Sequence, residues 1–114
     1  MNLKTAFLTK KAFLKYIKKI GVSFGNNLEC EKSVSFGSEP YLITIGNNVK
    51  LSHGVTFITH DGGVHVLRNI CNNPKLDYFG KITIGNNVFI GNKATIMPGV
   101  TIGNNVIVGL GSIV

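Results

Sequence analysis

The sequence is poor in the residues that define several common protein classes. Its 114 residues include two cysteines, three prolines, five acidic residues and no tryptophan. Cys30 and Cys71 are too few for a disulfide framework and form no Cys-x-x-Cys pair, so we expect free thiols in a reducing cytoplasm. No window approaches the ~18 apolar residues of a membrane span, and lysines interrupt the apolar run that a signal peptide needs. We expect a soluble, cytoplasmic protein.

Positive charge is concentrated at one end of the chain. The formal net charge is +7, yet the first nineteen residues carry six lysines and no acidic residue, and the remaining chain nets only +1. A basic arm on a nearly neutral body differs from a basic binding face. The charge therefore does not predict nucleic acid as a partner.

What the sequence has in abundance is glycine, and the glycines mark an internal repeat. From residue 84 the chain divides into six-residue units. The first positions of these units are Ile84, Ile90, Ile96, Ile102, Val108 and Val114. A second block has first positions Ile45, Leu51 and Phe57, and a weaker block runs through Val22, Leu28 and Val34. A period of six fits neither an α-helix nor an ordinary hairpin, but it fits a short strand, a turn and a repeat.

Three such units would complete one triangular coil. β-branched Ile and Val suit a short, half-buried strand. The Gly-Asn-Asn triplets suit the corners because Gly, and less readily Asn, tolerates a positive φ. Successive coils would pair as parallel strands around a shared core. The sequence therefore predicts an all-β, single-stranded parallel β-helix.

Two segments depart from the repeat. We divide the chain into a basic N-terminal helix and cap at residues 1–20 and a β-helix domain at 21–114, with one inserted loop at 58–81. Residues 5–19 have the pattern of an amphipathic helix with Phe13, Ile17 and Ile20 on one side. We favour capping of the solenoid for this helix, with contact to an anionic membrane surface as the alternative. The loop carries apolar residues that favour an ordered segment: Val66, Leu67, Leu76, Tyr78 and Phe79.

The hexads resemble those of the hexapeptide-repeat acyltransferase superfamily, whose coils are left-handed and whose chains usually form trimers. The string Phe57-Ile-Thr-His-Asp-Gly-Gly, before a loop that returns to Ile82-Thr-Ile-Gly-Asn-Asn-Val, is similar to the galactoside, maltose and streptogramin acetyltransferases. Residues 59–68, with 35–40 upstream, are similar to capsule and lipopolysaccharide O-acetyltransferases. The resemblance implies a homotrimeric, metal-free O-acetyltransferase that uses acetyl-CoA and a sugar or polysaccharide-precursor acceptor. Relatives continue for another coil and a helix beyond the position of Val114, so we expect a C-terminally truncated chain whose activity is reduced.

Acetyl transfer from a thioester to a hydroxyl needs a base, a donor for the oxyanion and a groove for CoA. Histidine suits the base because its ordinary pKa of about 6.5 lies near working pH. His60 stands where the coil ends and the loop begins, which is the place of the catalytic histidine in the resembled enzymes. His53 lies inside a regular hexad, where a solvated turn position is the default. His65 lies within the loop and suits either a structural role or substrate contact.

The remaining site residues also follow from the resemblance. Relatives lay the pantetheine arm of CoA along the coil corners, which match the predicted cofactor-binding residues Gly91, Asn92, Gly109 and Leu110. The predicted substrate-binding residues are Glu39, Asp61 and His65. Glu39 has three open roles: it orients His60, it accepts a hydrogen bond from a sugar hydroxyl, or it is a plain surface carboxylate. The same alternatives apply to Asp61.

Two other functions are compatible with the pattern. The γ-class carbonic anhydrases are left-handed β-helix trimers with three histidine ligands, and His60 and His65 have the five-residue spacing of that family. The third histidine would lie near residue 24, where the chain reads Val22-Ser-Phe-Gly, so this sequence lacks the His₃ set. The other alternative is a non-catalytic β-helix remnant or interaction protein. Thermal stabilisation by CoA would distinguish it from an enzyme.

Overall fold

Short strands follow the hexads along nearly the whole chain. The computed structural model describes residues 5–114, and residues 1–4 of the expected N-terminal unit lie outside the described part. The strands are β1 (Ser23–Phe24), β2 (Glu29–Cys30), β3 (Ile43–Ile45), β4 (Val49–Leu51), β5 (Thr56–Phe57), β6 (Ile82–Ile84), β7 (Val88–Ile90), β8 (Thr95–Ile96), β9 (Thr101–Ile102) and β10 (Val106–Val108). Helix α1 spans Lys10–Lys19, a 3₁₀ helix spans Pro40–Leu42, and helix α2 spans Val64–Ile70.

Corresponding strands of successive coils stack on one another. One sheet has the order β1-β3-β6-β9, a second has β10-β7-β4-β2, and a third pairs β5 with β8. All of these pairs are parallel. Isolated parallel bridges from Ser35 to Thr56 and from Thr95 to Ile113 extend the third sheet in both directions. The three sheets are the faces of a four-coil solenoid, so the predicted parallel β-helix is confirmed.

The first residues of the hexads form the core. In β3, Ile43 and Ile45 are buried and Thr44 is exposed. Parallel register places Ile45 on Ile84, and Ile84 on Ile102. Branched aliphatic side chains therefore stack in columns through the solenoid, as the repeat predicts.

The weak N-terminal block is a true coil, but its register differs from the prediction. Val22 is buried, as are Leu28 and Val34, yet Phe24 is the residue that pairs with Ile45. The Val22 set therefore occupies the second inward position of each hexad.

Cys30 occupies the first position of the hexad that follows Phe24. The pKa of its thiol is raised to about 12, chiefly by burial and also by the charge of Glu31. This thiol stays protonated and inert at neutral pH.

Asparagine, rather than glycine, adopts the left-handed conformation at the Gly-Asn-Asn corners. The φ angles are 57° at Asn48, 56° at Asn87 and 59° at Asn105. These asparagines also bond from coil to coil, since Asn87 Nδ2 donates to Asn105 Oδ1 at 2.8 Å. The preceding asparagine of each triplet cross-links the coils as well, because Asn104 Oδ1 accepts from the backbone N–H of Asn86 at 2.8 Å.

Gly46 and Gly85, the glycines of two inner triplets, have a different task from the one expected. A Cβ atom on Gly46 would lie 2.6 Å from the carbonyl oxygen of Gly85, and one on Gly85 would lie 2.7 Å from that of Gly103. Neither glycine is among the residues with positive φ. Glycine is needed here because the backbones of successive coils approach too closely for a side chain.

Helix α1 begins later than residue 5 and covers the N-terminal end of the core. Thr9 is the N-cap, with extended backbone and a side-chain oxygen that accepts from the backbone N–H of Ala12 at 3.1 Å. This cap fixes the first turn at Lys10. Phe13 and Ile17 are buried in the same cluster as the solenoid core, and Ile20 is partly buried. Within residues 5–114 no helix is long and apolar enough to cross a bilayer.

Gly85→Ala should lower the free energy of unfolding by about 1–3 kcal/mol, because the added methyl group overlaps the next coil. Gly103→Ala is the matched control one coil further along, where a Cβ atom meets no heavy atom within 4 Å. This control should be neutral or stabilising by less than about 1 kcal/mol. Urea unfolding followed by circular dichroism measures both. Equal effects of the two substitutions would contradict the close-approach explanation.

Candidate active site

A short antiparallel neck closes the loop that interrupts the solenoid. His60 bridges to Phe79 in antiparallel fashion. Two backbone hydrogen bonds flank the bridge, from Asp61 N–H to the Tyr78 carbonyl at 3.2 Å and from Gly80 N–H to the Thr59 carbonyl at 2.9 Å. The neck fixes the backbone of His60 at the mouth of a long excursion. It also sets the structural bounds of the loop at residues 60–80, inside the expected 58–81.

The neck rests directly on the corner of the following coil. A Cβ atom on Gly80 would overlap the backbone of Pro98 and Gly99. The hydroxyl of Tyr78 lies 3.3 Å from the position of a Cβ atom on Gly99. Both ends of the loop are therefore held against the rigid solenoid.

The His60 side chain is hydrogen-bonded to a carboxylate across the neck. Its Nε2 lies 2.5 Å from Asp77 Oδ1, and its ring stacks on Phe79 with centroids 4.3 Å apart. The His60 side chain keeps 34% of its surface exposed. An ionised carboxylate only accepts hydrogen bonds, so Nε2 carries the hydrogen and Nδ1 of the neutral imidazole keeps its lone pair. The geometry thus leaves one basic nitrogen available to a ligand.

Asp77 is anchored by helix α2 as well as by His60. Arg68 Nη2 lies 3.3 Å from Asp77 Oδ1, which also accepts from the backbone N–H of Tyr78 at 3.0 Å. Desolvation raises the pKa of Asp77, but the hydrogen bonds from His60 and Tyr78 and the charges of His60 and Arg68 outweigh it, so the pKa is lowered from 3.8. The carboxylate is therefore ionised at neutral pH.

Each of the two predicted carboxylates has a hydrogen-bond partner other than the His60 ring. Glu39 Oε1 accepts a hydrogen bond from Thr59 Oγ1 at 2.9 Å, so Asp77 rather than Glu39 orients His60. Asp61 Oδ1 accepts from the backbone N–H of Gly63 at 2.9 Å and shapes the turn into α2. Sequence reasoning missed both Asp77 and Arg68, because they lie in a non-repeating loop where spacing carries no structural information.

The other two histidines lie in different surroundings. His53 is at a coil corner, with Nδ1 2.8 Å from Ser33 Oγ. His65 is exposed on α2, with Nε2 3.4 Å from Asn69 Nδ2. Among residues 5–114, no three His, Cys, Asp or Glu side chains cluster as a metal site would require.

The four predicted cofactor residues come together at one corner of the solenoid. A Cβ atom on Gly91 would lie 2.7 Å from the backbone nitrogen of Leu110, and the Asn92 carbonyl accepts from the Gly111 N–H at 2.8 Å. Along the chain, this corner comes before the strands of the third sheet, β5 and β8, whereas His60 comes after that sheet. The five residues that cross the face separate the two corners by up to about 17 Å. Within one chain, the predicted base and the predicted cofactor residues therefore lie at different corners of the solenoid.

A cavity of about 400 Å³ lies beside the His60–Asp77 pair. Its lining residues are Asp61, Gly63, Val64, Leu67, Leu76, Asp77 and Tyr78. Aliphatic and aromatic surface is combined there with two carboxylates. His65 is not among these lining residues.

Four of the five apolar residues that were expected to order the loop are exposed. These are Val66, Leu67, Tyr78 and Phe79, whereas Leu76 is partly buried and the buried residue of the loop is Val64. Instead, the helix α2 that the sequence did not predict and the neck order the loop. The exposed apolar side chains form a surface uncovered within the single chain.

Comparison with known proteins shows which proteins this solenoid is similar to. Residues 81–114 match the family model of the bacterial transferase hexapeptide (six repeats). The chain is 53% identical over 102 residues to protein CapG of Staphylococcus aureus, covering 79% of this chain and 58% of CapG. It is 45% identical over 76 residues to galactoside O-acetyltransferase of Escherichia coli K12, covering 67% and 36% respectively. The chain thus spans little more than half the length of one curated relative and about a third of the other.

A solved structure supports the same assignment. The maltose O-acetyltransferase of Clostridium difficile 630 superposes with a TM-score of 0.66 at 25% identity, covering 99% of this chain and 67% of that one. Residues 81–114 therefore carry the hexapeptide repeat of this transferase family, and the chain is similar to its O-acetyltransferases and has their left-handed parallel β-helix.

The lowered pKa of Asp77 gives a prediction for the loop. A carboxyl whose folded pKa lies below its unfolded value stabilises the fold above the unfolded pKa of about 3.9. That stability is lost as the pH falls through the folded value. The carboxyl carbon of Asp77 should therefore titrate below 3.8 in NMR spectra, and Arg68→Gln should move the titration upward. An Asp77 titration that Arg68→Gln leaves unchanged would contradict the assigned contact.

Proposed function

We propose that this chain is the acetyl-transferring β-helix of an O-acetyltransferase, which moves the acetyl group of acetyl-CoA to a hydroxyl of a sugar or polysaccharide precursor. The observation that carries the proposal is the hydrogen-bonded His60–Asp77 pair, held at the neck where the coil gives way to the loop. Similarity to known proteins supports the reaction class, because two relatives are named as sugar O-acetyltransferases. A cytoplasmic location would supply the acyl donor.

His60 acts as the general base in this proposal. Its Nδ1 takes the proton of the acceptor hydroxyl while the hydroxyl oxygen attacks the thioester carbonyl carbon. A backbone N–H of a neighbouring coil holds the resulting oxyanion. When the carbon–sulfur bond breaks, the imidazolium returns the proton to the CoA sulfur, giving free thiol and the acetyl ester. Asp77 keeps the imidazole in the required tautomer and stabilises its protonated form.

The cavity beside the pair is the proposed acceptor site. Tyr78 and Leu67 offer apolar surface for the face of a sugar ring, and the carboxylates of Asp61 and Asp77 can accept hydrogen bonds from its hydroxyls. A predominantly apolar pocket with a few polar groups is typical of a small-molecule site. The exposed position of His65 restricts this residue to the rim.

The predicted CoA-binding corner of one subunit is proposed to lie beside His60 of a neighbouring subunit. Gly91, Asn92, Gly109 and Leu110 lie at one corner of the chain and His60 lies at another. In a homotrimer the corner of one copy would face the loop of the next. The neighbouring copy would also cover the exposed apolar side chains of α2 and the neck, such as Val66 and Phe79. One arrangement therefore accounts for both the separated residues and the uncovered surface.

His60→Ala should lower kcat by about 10²–10⁴, since a positioned base has that effect on the transition state. Binding of CoA should be nearly unchanged, because the base contributes little to the ground state. His53→Ala should be silent, and His65→Ala should act mainly on KM for the acceptor. A thioester-cleavage assay with the native chain as the reference measures all three. Loss of turnover in His65→Ala but not in His60→Ala would mean that the base is His65 and not His60.

Asp77→Asn extends the same experiment to the partner of the base. This change should reduce kcat by up to about 10⁴, because an amide no longer enforces the tautomer with a free Nδ1. Glu29→Gln is the matched carboxylate-to-amide control, since Glu29 is exposed and pairs with Lys50. The proposal fails if both substitutions change kcat equally.

CoA binding can be tested separately from catalysis. CoA should raise the Tm of the protein, because a ligand that binds the folded state stabilises it. Leu110→Glu should reduce this shift by placing a carboxylate beside the anionic cofactor. Ile107→Glu is the control, with 81% exposure against 80% for Leu110. Absence of any CoA-dependent shift in the native chain would favour the non-catalytic alternative.

A further inference from the structure

Helix α1 has two faces of opposite character. Phe13 and Ile17 are buried against the solenoid. The exposed residues of the helix include every one of its lysines: Lys10, Lys11, Lys15, Lys18 and Lys19. At about 3.6 residues per turn, these lysines span about half of the helix circumference, on the side away from the buried pair. The outer surface of the cap is therefore an array of ammonium groups.

Within residues 5–114, none of these five lysines forms an ion pair within 4.0 Å. The ion pairs among residues 5–114 are Lys50–Glu29, Arg68–Asp77 and His60–Asp77. The first acidic residue of the sequence is Glu29. Like charges spread along a helix of about 15 Å repel one another. Repulsion among these ammonium groups therefore lowers the stability of the isolated fold. An external anionic surface would reduce this repulsion.

We propose that the lysine face of α1 is a docking surface for an anionic phospholipid bilayer. A lysine side chain is a point charge that suits phosphate and carboxylate headgroups, and juxtamembrane polybasic segments bind them in this way. Phe7 is 96% exposed and lies two residues before the N-cap, where its ring can enter the interface beside the lysines. The helix carries no Arg, Asn or Gln that would read base edges, which favours a lipid surface over nucleic acid.

The buried face determines how this docking works. Because Phe13 and Ile17 are already packed in the core, the helix does not insert its apolar side into the bilayer. Binding is then electrostatic and reversible, and it weakens as salt shortens the Debye length from about 10 Å at 0.1 M to 3 Å at 1 M. Capping and membrane contact, which the sequence offered as alternatives, use opposite faces of α1 and do not compete.

Vesicle flotation of the 114-residue chain tests the proposal. Phosphatidylcholine vesicles with about 30% phosphatidylglycerol should bind the protein at low salt, and vesicles of phosphatidylcholine alone should not. Lys11→Glu combined with Lys15→Glu should lower the partition coefficient at least about 25-fold, at about fivefold per lysine. Lys75→Glu combined with Lys81→Glu is the matched control, because both lysines are exposed and the net charge changes equally. This control should bind nearly as well as the native chain.

Three results would overturn the proposal. The first is failure of the native chain to bind anionic vesicles at low salt while circular dichroism shows it folded. The second is equal loss of binding in the two double variants, which would mean that net charge alone acts. The third is tighter binding to a soluble polyanion such as duplex DNA than to vesicles at the same salt concentration.

Discussion

Successive coils of this solenoid approach one another so closely at their corners that the backbone itself fills the space between them. The carbonyl oxygens of Gly85 and Gly103 lie where a side chain of the previous coil would stand. This contact aligns the parallel strands and stacks Ile45, Ile84 and Ile102 in a common column. Asparagine side chains complete the contact by bonding along the axis. The regular core and the fixed position of every corner follow from this one constraint.

The active-site proposal depends on how a loop leaves so regular a scaffold. A long insertion in a solenoid would ordinarily be free to move, because only its two ends are attached. Here the ends pair with each other, and Gly80 lies against the backbone of the next coil. His60 and Asp77 consequently face each other across a two-stranded neck rather than across a flexible loop. Arg68 links this neck to α2, so the helix and the pair of side chains form one structural unit.

The sequence predicted the solenoid because its information is periodic. Ile and Val at every sixth position have one physical explanation, and the structure agrees with it. The predicted role of glycine was wrong. A close backbone approach and a positive φ both favour glycine, so the sequence alone does not show which of the two reasons applies. The start of α1 was placed too early because the Thr9 cap, rather than the amphipathic pattern, determines where the helix begins. Asp77 was missed since it becomes a neighbour of His60 only through the antiparallel neck, for which the sequence offers no pattern.

The central claim is that Asp77 holds the hydrogen of His60 on Nε2 and leaves Nδ1 as the base. The ¹⁵N chemical shifts of the neutral His60 ring, measured by NMR, test this claim directly. We expect Nε2 to carry the hydrogen and Nδ1 to show the chemical shift of a nitrogen with a free lone pair. A neutral His60 that carries its hydrogen on Nδ1, with Nε2 free, would contradict the account.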